Sequence, residues 1–151
     1  MNYDEKDGVE SLARKLDAHI SGGNPESFAN GELNELGAEY KKQIGHARTS
    51  LLLLYRTICP YCEQLKPLLK DLANEYKSKV YFAMLDIDAI PSAREEFDVL
   101  GVPLVIAFKK GYPVGRVEGL RSFDEYDRWI ESIHQGMNPM LIKDGPSTQF
   151  P

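Results

Sequence analysis

The sequence predicts an α/β domain in which a central mixed sheet of four or five strands is flanked by helices, with a helical extension ahead of it. Three observations carry that prediction. Two short apolar runs, Leu51–Tyr55 and Val80–Leu85, are separated by one helical pattern, which is the mark of a βαβ crossover and hence of parallel strands. Two further runs, Leu104–Phe108 and Val114–Glu118, flank Gly111 and Pro113, turn residues suited to a hairpin and hence to antiparallel pairing. The chain has 151 residues, 42% hydrophobic and 27% charged, which suits one globular domain of ordinary size.

Each element has its own local reason. Val9, Leu12, Leu16 and Ile20 recur at helical spacing among charged residues and predict a short amphipathic helix. Gly22, Gly23 and Pro25 break it, so that residues 1–30 are expected to form a helical extension. A second helix is expected from about Gly31, carried by Leu33, Leu36, Tyr40 and Ile44, which leaves open whether an edge strand precedes Leu51 and makes the sheet four-stranded or five-stranded accordingly. The run Leu51 to Tyr55 is short enough for a strand buried on both faces. Pro60 to about Tyr76 reads as a helix with Leu65, Leu68, Leu69 and Leu72 on one side, despite Pro67 in its interior. Beyond the strand at Val80–Leu85, Pro91 introduces a short helix from about Ser92 to Phe97. Ser122 and Glu125 form a capping box that opens the last helix, whose apolar positions Phe123, Tyr126, Trp129, Ile130 and Ile133 have the spacing of core residues. The domain proper is thus expected over residues 31–135, and residues 136–151, which lack any period, read as a tail.

Composition excludes several functions. The formal net charge is -5 and the basic residues are dispersed, leaving no electrostatic footprint for nucleic acid. No apolar run approaches the roughly 20 residues that cross a bilayer, so no membrane association is expected. The acidic start Met1-Asn2-Tyr3-Asp4-Glu5 lacks the basic and apolar regions of a secretory signal, and a cytoplasmic location is expected.

The chemistry concentrates in Cys59-Pro60-Tyr61-Cys62. These are the chain's two cysteines, too close in sequence for a disulfide to staple distant parts of the fold, and the pair reads as reactive. Positions i and i+3 of a helix lie close enough for a bridge. Pro60 suits the first helical position, where its missing N–H has no partner to lose, and this puts Cys59 at the N-cap. There its sulfur meets free N–H groups and the positive end of the helix dipole, both of which favour thiolate. Cys59 is therefore the candidate nucleophile and Cys62, one turn inside the helix, the candidate resolving thiol. No bound cofactor is needed for that exchange. A zinc site needs four ligands, and His19, His46 and His134 stand at no ligand-like spacing, so no metal is expected.

From about Gly37 to Ile133 the chain resembles thioredoxins, in the apolar strand, the dithiol helix, the βαβ crossover, Val102-Pro103, the hairpin and the last helix. The resemblance implies a cis peptide bond before Pro103 and a backbone at Val102 that pairs with an extended substrate, which would be strand addition. Pro67, Gly111 and Gly119 match the helix-kinking proline and the glycines of that family, although Pro67 has packing as its simplest role. It also implies protein disulfide substrates and a flavin-dependent, thioredoxin-reductase-type electron donor.

The chain departs from that pattern where thioredoxins carry a buried Asp in the strand before the motif and a Lys on the next strand; these positions read Leu53 and Met84. Proton loss from Cys62 then falls to water, to the substrate thiolate or to a group such as Glu63 or Asp86, while Asp86 and Asp88 are otherwise expected to be solvated at a strand end. The tetrad Cys-Pro-Tyr-Cys is instead common in dithiol glutaredoxins. Arg56 falls where those proteins often place a Lys that meets a glutathione carboxylate, and it is a candidate contact for glutathione or for the Cys59 thiolate. Three functions follow as expectations: reduction of protein disulfides, glutathione-dependent exchange of the glutaredoxin type, and a redox-inert binding module.

Overall fold

In the computed structural model, which describes residues 28–136, the leucine-rich run forms strand β2 (Thr49–Tyr55), buried along its whole length. A strand buried on both faces requires a helical layer on each side, and both are present. Leu51, Leu53 and Tyr55 face one layer, formed by helices α2 (Pro60–Glu75) and α4 (Phe123–His134). Leu52 and Leu54 face the other, formed by α1 (Tyr40–His46) and α3 (Pro91–Glu96). The alternation follows from the two-residue period of a strand.

The sheet has five strands in the order β1-β3-β2-β4-β5. Strand β3 (Tyr81–Asp86) runs parallel to β2, as the crossover through α2 requires. Strands β4 (Leu104–Lys109) and β5 (Tyr112–Glu118) form the antiparallel hairpin, with β4 beside β2. Gly111 closes the turn with φ +84°, and a Cβ there would stand 3.2 Å from Gly45 Cα, so that position needs glycine for conformation and for space. The pairing shifts register between Ala107 and Phe108, opposite Pro113.

One expected element is different. The stretch after Gly31 does not form one helix: Leu33–Glu35 is strand β1, parallel to β3, and α1 begins only at Tyr40. The apolar spacing of Leu33, Leu36, Tyr40 and Ile44 fits a helix, but the free edge of β3 offers main-chain partners that the spacing cannot register. Leu36 N–H donates to Met84 O at 2.9 Å, and the Asn34 side-chain amide donates to Phe82 O at 2.9 Å, which fixes the strand on that edge. An edge strand therefore precedes β2 after all.

The remaining elements agree with their local signals within a residue or two. Ser122 and Glu125 make the reciprocal capping box at the start of α4, with Tyr126 and Trp129 fully buried beneath it. The Tyr76 hydroxyl donates to Asp127 Oδ1 at 2.8 Å and ties the end of α2 to α4. Pro67 lies inside α2. The predicted helix at Val9–Ile20 and the tail lie outside the described residues. Among the described residues, no helix is long and apolar enough to cross a membrane.

Candidate active site

The strand-to-helix junction after β2 places the dithiol. Cys59 is the N-cap of α2 in extended conformation and Pro60 holds the first helical position. Cys59 and Cys62 are joined in a disulfide with their Cα atoms 5.2 Å apart, within the ordinary range for such a bridge. The Cys62 N–H donates to Cys59 Sγ at 3.2 Å, so the sulfur takes the place that a serine or aspartate oxygen fills at other helix starts. Cys59 retains 9% exposure and Cys62 none. The two sulfurs are thus unequal in access, although the bridged Cys59 is more covered than its place at an exposed junction suggests. Around it, Ile58 and Tyr61 are 92% and 61% exposed, an apolar rim at the only redox pair in the sequence.

Strand register brings the second predicted segment to the same edge. Leu104 pairs with Leu54, so Pro103, one residue earlier, lies level with the end of β2 where the dithiol loop departs. The Val102–Pro103 peptide is cis. Pro103 O accepts from the Gly119 N–H at 2.9 Å, and Val102 is half-buried against both cores.

Arg56 is placed differently from a simple thiolate contact. Its Nε donates to Asp88 Oδ1 at 3.1 Å in a half-exposed ion pair. Thr57 Oγ1 lies 3.2 Å from Asp86 Oδ2, and Asp86 Oδ1 accepts from the Asp88 N–H at 2.9 Å. Asp86 and Asp88 therefore do more than solvate a strand end: they tie the loop ahead of Cys59 to the end of β3. Arg56 also lines a cavity of about 150 Å³ with Arg94, Leu100, Gly101 and Val102.

Leu53 and Met84 stand in register on the α2 side of the sheet, so the side facing the dithiol helix is apolar at those two positions. A polar group missed in the sequence lies one row further along. Tyr55, buried at the end of β2, donates its hydroxyl to Glu35 Oε1 at 2.7 Å. Burial first, then the hydrogen bond and charge of Glu35, push that hydroxyl well above the usual tyrosine range. Lys66 Nζ lies 4.0 Å from the centre of the Tyr55 ring and 3.0 Å from Glu63 Oε2. Glu63 and Lys66 form a helical i,i+3 pair, whereas Glu35 reaches Tyr55 only because β1 exists.

A parallel-then-antiparallel sheet with a bridged Cys-Pro-Tyr-Cys at a helix start defines a thiol-disulfide oxidoreductase of the α/β dithiol class. The family model described as Thioredoxin matches residues 33–132, and the chain belongs to the thioredoxin family. It is 34% identical over 82 residues to the thioredoxin of Staphylococcus saprophyticus subsp. saprophyticus, covering 54% of this chain and 79% of that one. With the thioredoxin of Staphylococcus haemolyticus the identity is 37% over 71 residues, covering 47% and 68%. Among solved structures, a mutant thioredoxin from Halobacterium salinarum NRC-1 superposes with a TM-score of 0.63 at 26% identity, over 68% of this chain and 90% of that chain.

Proposed function

We propose that this protein reduces disulfides of protein substrates by dithiol exchange, with Cys59 attacking and Cys62 resolving. The observation that carries the reading is the N-cap geometry: Cys59 Sγ receives the Cys62 N–H at 3.2 Å, while Cys62 is fully enclosed. In the reduced protein, the same helix start favours the Cys59 thiolate. Cys59 Sγ attacks one sulfur of the substrate disulfide and the other sulfur leaves as a thiolate. Cys62, deprotonated, then attacks Cys59 Sγ, so that the mixed disulfide breaks and the internal bridge forms. Electron balance closes within the two disulfides.

The Val102–Pro103 segment is the proposed docking edge, where the Val102 main chain pairs with an extended substrate segment. Ile58 and Tyr61 supply apolar contact beside it. A flavin-dependent reductase in the cytoplasm is the proposed electron donor. The test is reduction of a model protein disulfide with excess dithiol donor. Wild type should turn over, Cys59→Ser should be inactive, and Cys62→Ser should accumulate a mixed disulfide; equal activity of Cys59→Ser and wild type would sink the assignment. A measured two-electron potential distinguishes this activity from a redox-inert module.

A second reading has one observation in its favour: Arg56 and Arg94 line the same small cavity as Val102. Two arginines at that cavity suit the carboxylates of glutathione as the reductant, with Arg56 exchanging its Asp88 partner for the ligand. On that reading, glutathione reduces the internal bridge rapidly and Arg56→Ala slows that step, whereas a rate independent of glutathione concentration removes it.

A further inference from the structure

The second half of the exchange needs a thiolate from a fully buried thiol, and burial in apolar surroundings opposes its ionisation. Leu53 and Met84, in the same apolar core as Cys62, offer no acid, base or charge. The charged groups gathered at that end come from several elements. Glu35 comes from β1, Tyr55 from β2, Glu63 and Lys66 from α2, and Asp86 from β3, all linked through the surroundings of Tyr55. Beyond them the half-exposed Arg56–Asp88 pair lies on the loop side, and Val102–Pro103 has no ionisable side chain.

Lys66 stands out in this group. It is four residues after Cys62, hence on the same helix face, and helical side chains lean back toward the N-terminus over the preceding turn. A lysine on a free helix surface extends into water, yet this side chain is only 18% exposed. Its ammonium is held from two sides, by the face of Tyr55 at 4.0 Å and by Glu63 Oε2 at 3.0 Å. Tyr55 is in turn fixed by its hydrogen bond to Glu35.

We propose that Lys66, seated on the Tyr55 ring, is the cation that stabilises the Cys62 thiolate in the resolving step, and that Tyr55 and Glu35 are positioning residues for it. The inference rests on Cys59 attacking and Cys62 resolving. In the mixed disulfide, Cys62 S–H gives its proton to water. The thiolate forms a bond to Cys59 Sγ, the bond from Cys59 to the substrate sulfur breaks, and that sulfur leaves with the electron pair. Lys66 neither gives nor takes a proton; its charge lowers the cost of the thiolate in a region where the carboxylates of Glu35, Glu63 and Asp86 act on Tyr55.

The experiment mixes the reduced full chain with an aromatic disulfide whose thiolate is coloured and follows release by stopped flow. The first thiolate appears in a second-order phase that reports attack by Cys59, and the second in a first-order phase that reports resolution by Cys62. Lys66→Met should leave the first phase unchanged and slow the second about tenfold at neutral pH, moving the midpoint of its pH profile up by about one unit. Lys66→Gln should behave alike, and Lys66→Arg should keep the wild-type profile. Tyr55→Leu, which removes the seat, should shift the second phase in the same direction. A second phase in Lys66→Met and Lys66→Gln that superposes on wild type at every pH overturns the proposal, as does equal slowing of both phases. Failure of the underlying exchange reads differently: Cys62→Ser would still release the second thiolate at the wild-type rate.

Discussion

Cys59 Sγ and the Cys62 N–H lie 3.2 Å apart, so the residue that carries one sulfur of the bridge also donates its main chain to the other. The contact places the Cys59 sulfur at the start of α2, where the dipole and the free N–H groups of the first turn favour negative charge. In the reduced protein the Cys59 thiol should titrate below the ~8.5 of a free cysteine. Rates of alkylation by iodoacetamide against pH, measured on Cys62→Ser, give this midpoint directly. A midpoint at or above that of free cysteine would contradict the helix-start argument.

Tyr76→Phe is expected to loosen the junction between α2 and α4. The hydroxyl donates to Asp127 Oδ1 at 2.8 Å from a buried ring, so its loss leaves a half-buried carboxylate with one partner fewer. The cost should be about 1 to 2 kcal/mol in urea unfolding of the oxidised protein. Disulfide exchange should continue at its wild-type rate, since this tie lies at the far end of α2 from Cys59.

Alkaline stability should carry the signature of Tyr40. Burial first, then the hydrogen bond and charge of Glu96, push its hydroxyl up to about 12, while an unfolded tyrosine titrates near ~10. The folded state thus holds the proton more tightly. The stability this provides is fully present below about pH 10 and is lost as pH rises through about 12. Tyr40→Phe should flatten the stability curve in that window by on the order of 2 kcal/mol relative to wild type. Chemical unfolding followed by circular dichroism between these pH values checks the sign, and parallel curves for the two proteins would refute it.

Gly111→Ala should destabilise the β4–β5 hairpin by roughly 1 to 3 kcal/mol. The residue has φ +84°, and the added methyl would meet the Gly45 backbone at 3.2 Å, a contact that only movement of α1 relieves. Gly119→Ala shares the positive φ but has open space around its Cβ, so it should cost less. Thermal melts of the two variants separate conformation from crowding.

How far the fold could be read from the chain depended on where each element finds its partners. The β2 run, the Cys59–Cys62 spacing, the Ser122–Glu125 box and the Gly111 turn all act within a few residues, and each appears in the structure as read. Strand β1 was not legible. Leu33, Leu36 and Tyr40 satisfy a helical spacing, and what makes Leu33–Glu35 a strand is the edge of β3, nearly fifty residues later. The polar part of the site followed the same rule. Arg56 stands out in the sequence as a candidate contact for glutathione or the Cys59 thiolate, but its partner Asp88 is 32 residues away, and the Tyr55–Glu35 bond spans 20.

The outer strand of the hairpin has a consequence for a protein whose proposed clients present extended main chain. Pro113 in β5 has no N–H to offer, and the register shift opposite it at Ala107/Phe108 bends the ladder. An edge interrupted in this way is a poor template for a further strand. A further chain meeting the β5 border would therefore find an interrupted row of main-chain partners, which works against intermolecular β-aggregation along that side of the sheet.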